Sequence, residues 1–161
     1  MRYFGQYNSP LGLVTIQCDE IGITGVWFET HTTRPNDLGT EHPDLPLLQQ
    51  AALQLGEYFV GQRREFTVAL SLHGTEFQRQ VWQALIAIPF GETRSYQELA
   101  EQVGNPKAVR AVGTANGRNP ISVFIPCHRV VGKNGHLSGY AGGIERKQAL
   151  LELEGITHLV K

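Results

Sequence analysis

Three side chains able to do chemistry stand in a row at Cys127, His128 and Arg129, inside the apolar heptapeptide IPCHRVV of residues 125–131. A thiol attacks as its thiolate, and at an ordinary pKa of ~8.5 only a few per cent is ionised at neutral pH. The chemistry therefore needs a base, and the imidazole of His128 is the nearest in sequence. In an extended strand adjacent side chains point to opposite faces. Direct contact between Cys127 and His128 then requires a break in the strand, which Pro126 is placed to supply, or a bridging water that carries the proton. The inert alternative is a buried structural cysteine beside a hydrogen-bonded histidine. On the heptapeptide alone that alternative is favoured, because buried cysteines are mostly unreactive.

The elements around this stretch must position it. VFIPCHRVV (123–131) reads as a β-rich apolar segment, followed by the glycine-rich loop GKNGHLSGYAGG and a last helix from about 144 to 154, stopped by Gly155. Upstream, Thr75 and Gln78 form a capping box for a helix whose buried stripe is Phe77, Val81, Leu85 and Ile88, ended by Pro89. Ser95 and Glu98 form another, opening YQELAEQV. Gly104 closes that helix, Asn105 is placed to cap the next, and Pro106 falls in its first turn. A third helix, KAVRAVGTAN, follows. Two short helices joined by a glycine-containing turn make a helix-turn-helix pattern, which ordinary helical hairpins share. The second helix offers the small residues Ala108, Ala111, Gly113 and Ala115 with Lys107 and Arg110 as cations. Small residues allow close approach to another surface, and cations suit phosphate or base contacts.

The first half has a different texture. RYFGQYN, the turn SPLG, LVTIQC, a turn at DEIG and ITGVWFE read as a β-meander, with Val14, Ile16 and Cys18 alternating with polar partners so that Cys18 faces a core. Residues 30–46 are polar and proline-punctuated, a loop in which His31 and His42 read as solvated. Apolar residues at helical spacing from Leu47 to Phe59 predict a helix to about Val60, and REFTVALSLHG reads as a further extended connector.

Composition narrows the class. A chain of 161 residues with 41% hydrophobic content suits ordinary globular folding, as one domain or two small ones sharing a core. No apolar run approaches the ~20 residues of a membrane span, and the start MRYFGQYNSP has no signal-peptide core, so a cytoplasmic protein without membrane association is expected. Two cysteines outside any CxxC or His-rich pair predict free thiols and no zinc or other metal. The net charge of -1 hides an asymmetry: residues 1–72 carry four arginines against eight acids, net -4, and the remainder ten basic against seven acidic residues, net +3. A polyanion would therefore meet the second half.

SYQELA, GNPKAVRAVGTANGRNP, IPCHRVVGKNG, GYAGG and ERKQALLELEG, in that order, resemble the segments of the O6-alkylguanine-DNA alkyltransferases, and PCHRV in this context is highly specific. The resemblance covers nearly all of residues 75–155, whereas residues 1–72 match only in layout. It implies an α/β (α+β) fold: a small ribonuclease-H-like sheet-and-helix domain over 1–72, then a helical, winged helix-turn-helix-like DNA-binding and active-site domain over 73–161. It also implies that Cys127 accepts the alkyl group in a single, irreversible turnover without a cofactor. His128 acts through water, oriented by Glu154. Tyr96, aided by Lys147, protonates the departing guanine; taken alone, Lys147 reads as a solvated surface lysine. Arg110, flanked by Ala108, Val109, Ala111 and Gly113, enters the stack vacated by the flipped base. Asn119 bridges the helix-turn-helix to the active-site segment, and Tyr140, Ala141 and Val130 belong to the substrate pocket. Ala141 stands where some relatives carry a hydroxyl. The implied partner is double-stranded DNA containing O6-alkylguanine, bound by a monomer, with cooperation along DNA and O4-methylthymine repair left open. Two rivals remain: a lesion-binding module, which Cys127 argues against, and a cysteine hydrolase that would turn over repeatedly.

Overall fold

The computed structural model describes residues 1–160. Strands β1 (Tyr3–Ser9), β2 (Gly12–Cys18) and β3 (Ile23–Phe28) form the expected antiparallel meander. The predicted loop 30–46 contains one difference: Thr40–Glu41 is a short strand, β4, parallel to β1, so the sheet order is β3-β2-β1-β4. Both faces of β2 are covered. Val14, Ile16 and Cys18 face the core, where α1 (Pro46–Phe59) packs, but Thr15 and Gln17 are buried as well. Gln17 accepts from the Thr24 hydroxyl at 2.8 Å and donates to the Leu38 carbonyl at 3.1 Å, satisfying a buried polar group.

The free edge of β3 joins the two halves of the chain. Residues 69–71 pair with it at Ile23 (Ile23 N to Ala69 O 2.8 Å, Ser71 N to Ile23 O 2.8 Å), so the predicted connector is extended only there. Val26 pairs with Ile121 from the second half, its N–H donating to Pro120 O at 2.9 Å. A hydrophobic core shared by both halves follows, running from Val14 and Phe28 through Leu85 and Leu99 to Ile121 and Ile125, with a smaller cluster of Val131, Leu151 and Ile156 apart from it.

The second half is α2 (Glu76–Ile86), β5 (Arg94–Ser95), α3 (Tyr96–Gln102), α4 (Val109–Gly117), β6 (Val130–Val131) and α5 (Ile144–Leu153). Both predicted capping boxes are formed, on Thr75 and Ser95, because each needs only residues three apart. The start of α4 differs from expectation. Asn105 and Pro106 lie in a turn, and the helix begins at Val109 with Ala108 as an N-cap that makes no side-chain bond. Gly104 at φ +81° reverses the chain between α3 and α4, as its type requires. Trp82 on α2 donates to the Ala115 carbonyl at 3.0 Å and locks α4 onto α2. Val112, Ala115 and Asn116 therefore face the core, so Ala115 does not belong to the exposed small-residue face.

Candidate active site

The parallel pair of β5 and β6 brings the site together, since β5 runs straight into Tyr96 at the start of α3 and β6 leaves directly from Arg129. Residues 127–129 are not strand. They form a 3-10 turn, with Arg129 N donating to Pro126 O at 2.9 Å, because Pro126 (φ -80°, ψ 62°) turns the chain out of extended geometry. Just before it, Val123 sits at φ +72°, a conformation that costs a β-branched residue ~1–3 kcal/mol. Asn119 braces that turn: its amide donates to Ile125 O at 2.8 Å, and its carbonyl accepts from Ile121 N at 3.0 Å.

In the 3-10 turn Cys127, His128 and Arg129 are all buried. His128 turns towards Glu154, its Nε2 2.8 Å from Glu154 Oε2. Glu154 also accepts from Arg129 Nε (2.8 Å) and Nη2 (3.1 Å), from the Tyr58 hydroxyl (2.6 Å) and from Gly91 N (3.0 Å). Burial alone would raise this carboxyl, but the hydrogen bonds and charges of His128 and Arg129 prevail and hold it down at about 2. An ionised Glu154 acceptor places the imidazole proton on Nε2 and leaves Nδ1 with its lone pair. Burial lowers the His128 pKa, against Glu154, with Arg129 and Lys147 adding to the lowering, so the ring stays neutral. His128 Nδ1 is buried without a hydrogen-bond partner among the described residues. A neutral imidazole with a free, buried lone pair is a base awaiting a proton.

Burial pushes the Cys127 thiol up, while Asn119, the Lys147 charge and Ser122 pull it back. Lys147 is no solvated lysine: it is fully buried, its Nζ donating to Val130 O at 2.6 Å and Ser138 O at 2.7 Å. Burial lowers its pKa to about 8, with Cys127 opposing.

Cys127 lines a cavity with His31, Asn116, Gly117, Asn119, Ser122, Gly139, Tyr140 and Ala141. The cavity measures only ≈ 10 Å³, room for about one water. The Tyr140 hydroxyl closes it by a 2.6 Å bond to Ser122 Oγ, and burial, then Cys127, raises the phenol's pKa. Val130 and Tyr96 are not among the cavity's walls: Val130 is fully buried, and the Tyr96 hydroxyl is 3.2 Å from Ser138 Oγ, the residue before the wall residue Gly139, with its ring packed near Gly113. On α4, Arg110 and Ala111 are exposed, Ala108, Val109 and Gly113 are half-buried, and Asn116 and Gly117 reach the cavity. From Arg110 to Gly117 the helix rises ~10 Å. A cleft of ≈ 520 Å³ opens on the other side of the turn, between Phe66, Phe90 and Arg129, and Cys127 is not among its walls.

Sequence reasoning missed Arg129 and Tyr58 as partners of Glu154, and Ser122 and His31 as cavity walls. A cation inside an apolar run was the available signal for Arg129, since a buried guanidinium needs a carboxylate. His31 carried none. It is buried, not solvated, because loop 30–46 folds back over Phe28, whose N–H donates to His31 Nδ1 at 2.8 Å.

The comparisons with known proteins cover both halves. Residues 2–72 match the family model described as the ribonuclease-like domain of 6-O-methylguanine DNA methyltransferase, and residues 76–156 match its DNA binding domain. The methylated-DNA–protein-cysteine methyltransferase of Mycolicibacterium paratuberculosis is 51% identical over 91% of this chain and 88% of its own length. The constitutive methylated-DNA–protein-cysteine methyltransferase of Bacillus subtilis is 48% identical over the whole of both chains. Among solved structures, Mycobacterium tuberculosis OGT in complex with DNA is 48% identical and superposes with a TM-score of 0.87, covering 94% of this chain and 92% of that one. The O6-methylguanine-DNA methyltransferase of Pyrococcus kodakaraensis reaches a TM-score of 0.65 at 25% identity, over 97% of this chain and 100% of its own.

Proposed function

The chain belongs to the 6-O-methylguanine DNA methyltransferase family, and we propose that it repairs O6-alkylguanine in duplex DNA by one irreversible transfer of the alkyl group to Cys127. The observation that carries this reading is His128, the residue that follows the nucleophile in the chain, held through Nε2 by ionised Glu154, with Nδ1 buried and unpartnered among the described residues.

In this reading a water between Cys127 and His128 Nδ1 passes the thiol proton to the imidazole. The thiolate attacks the sp3 carbon on O6; the S–C bond forms, the C–O6 bond breaks, and its electron pair leaves with the guanine. A proton from the Tyr96 side returns to the purine, so the products are a thioether and unmodified guanine. Lys147, which holds the Val130 and Ser138 carbonyls together, keeps a positive charge near the thiolate. The thioether does not hydrolyse, and one molecule repairs one lesion.

A cavity of ≈ 10 Å³ does not admit a purine, so the loop of Gly139 to Ala141 opens as the base arrives, and the Tyr140–Ser122 bond breaks. The base leaves the stack at a cost of a few kcal/mol, offset by Arg110 entering the gap from an exposed helix in the +3 half of the chain. The chain divides at Leu72 into a sheet unit (1–72) and a DNA-binding and acceptor unit (73–161), acts as a monomer, and belongs in the cytoplasm, where Cys18 and Cys127 stay reduced. No helix among the described residues is long and apolar enough to cross a membrane.

Intact-protein mass spectrometry after incubation with duplex DNA containing one O6-methylguanine tests the reading. A gain of ~14 Da on Cys127, saturating at one per protein, is expected. Cys127→Ala should gain nothing and still bind DNA. Methyl transfer in that variant would remove Cys127 from the mechanism, and repeated turnover on acyl substrates would favour a hydrolase.

A further inference from the structure

We infer that the ring of His31, contributed by the first half of the chain, is the wall that limits the size of the alkyl group accepted at Cys127; this rests on the alkyl-transfer reading above. The walls of the cavity grade from mouth to floor. Gly117 and Gly139 are exposed, Tyr140 and Ala141 are half-buried, and His31 (7% exposed), Cys127 (6%), Asn116 and Asn119 (3% each) and Ser122 (1%) form the buried end. The reacting carbon must meet Cys127 Sγ, so any atoms beyond it extend among these buried walls, of which the His31 ring is the bulkiest.

That ring is fixed on several sides. It stacks on Phe28 (centroids 5.7 Å, 18° between planes) and meets Tyr140 edge-on at 5.8 Å. Its Nδ1 accepts from Phe28 N–H at 2.8 Å. A Cβ on Gly142 would come within 2.8 Å of its Cε1, so the backbone of the GYAGG loop lies directly against it. Burial, then the Arg146 charge, lowers the His31 pKa to about 4, so the wall is uncharged at neutral pH and suits apolar substituents. The Phe28 stack and the Phe28 N–H bond do not depend on the loop that opens, so the ring still sets a limit of size when the base has entered.

The test compares single-turnover transfer from duplexes carrying O6-methylguanine or O6-butylguanine, read as mass gain on Cys127. His31→Asn shortens the side chain but keeps an acceptor for Phe28 N–H. It should raise the butyl-to-methyl rate ratio about tenfold, within the range that pocket methylenes command. His31→Phe keeps the bulk and loses the acceptor, so it should lower the melting temperature and leave the ratio within about threefold of wild type. Each ratio is measured on one protein, so the folded fraction cancels, and His31→Ala serves if the Asn variant folds poorly. An unchanged ratio in the shortened variants, with methyl transfer intact, overturns the role of His31 alone. A wild-type protein that gains no alkyl group overturns the transfer reading beneath it.

Discussion

Glu154 shows how much one side chain can organise. It ends α5, where the helix dipole disfavours a carboxylate, yet it accepts five hydrogen bonds from Tyr58, Gly91, His128 and Arg129. Glu154→Gln keeps the size and removes the charge, leaving Arg129 buried without its counter-ion at a cost of about 3–5 kcal/mol. It also releases the preference of His128 for the Nε2–H tautomer. Single-turnover transfer should fall about 100-fold, and the protein should melt lower. A wild-type transfer rate in this variant would remove Glu154 from the relay. The pH dependence follows from the direction of its shift. The folded carboxyl titrates at about 2, below the unfolded 4.5, so its stabilisation is complete above pH 4.5 and is lost as pH falls towards 2. The stability gap between wild type and Glu154→Gln, from urea unfolding, should therefore shrink across that window. The residue types of the relay were legible in the sequence; their directions were not, because Pro126 and the 3-10 turn aim His128, and neighbours distant in sequence complete its partners.

Among the elements, those built from local rules were readable. The Thr75 and Ser95 capping boxes need only residues three apart, and the glycines after α3 and α5 stand at φ +81° and +87°. The start of α4 and the segment 123–131 were misread for one reason: propensity describes the isolated chain, and both are set by packing. Trp82 fixes α4 by its bond to Ala115 O, and Asn119 holds the turn that keeps Val123 at positive φ. The exposed strip of α4 remains for DNA. Arg110→Ala should slow repair in duplex DNA about tenfold or more and spare transfer from the free alkylated base, where nothing must be extruded. Equal loss on both substrates, in a stopped mass-shift assay, would refute the extrusion role.

Across the whole molecule, Arg146 ties the halves together. From α5 it donates to Leu11 O (2.9 Å), Thr30 Oγ1 (2.5 Å) and Gly142 O (2.9 Å), and it lies over the Phe28 ring at 5.0 Å. Arg146→Ala should cost about 1.5–3 kcal/mol, read as a lower melting temperature, because these are charge-assisted bonds. It should also loosen the GYAGG loop at Gly142, seen as faster amide exchange there. Unchanged exchange would confine Arg146 to stability. By itself the sequence determined the local features of this protein: the meander, the capped helices, the cysteine-histidine pair, the charge asymmetry and, through PCHRV and its neighbours, the family. Each depends on residues close in the chain. Only the tertiary structure decided what meets what: His31 beside the nucleophile, Tyr58 and Arg129 on Glu154, and Lys147 buried between two carbonyls. Those contacts join residues up to 96 positions apart. They form because one core buries the apolar faces of both halves, and no local pattern in the chain encodes which polar groups that burial will press together.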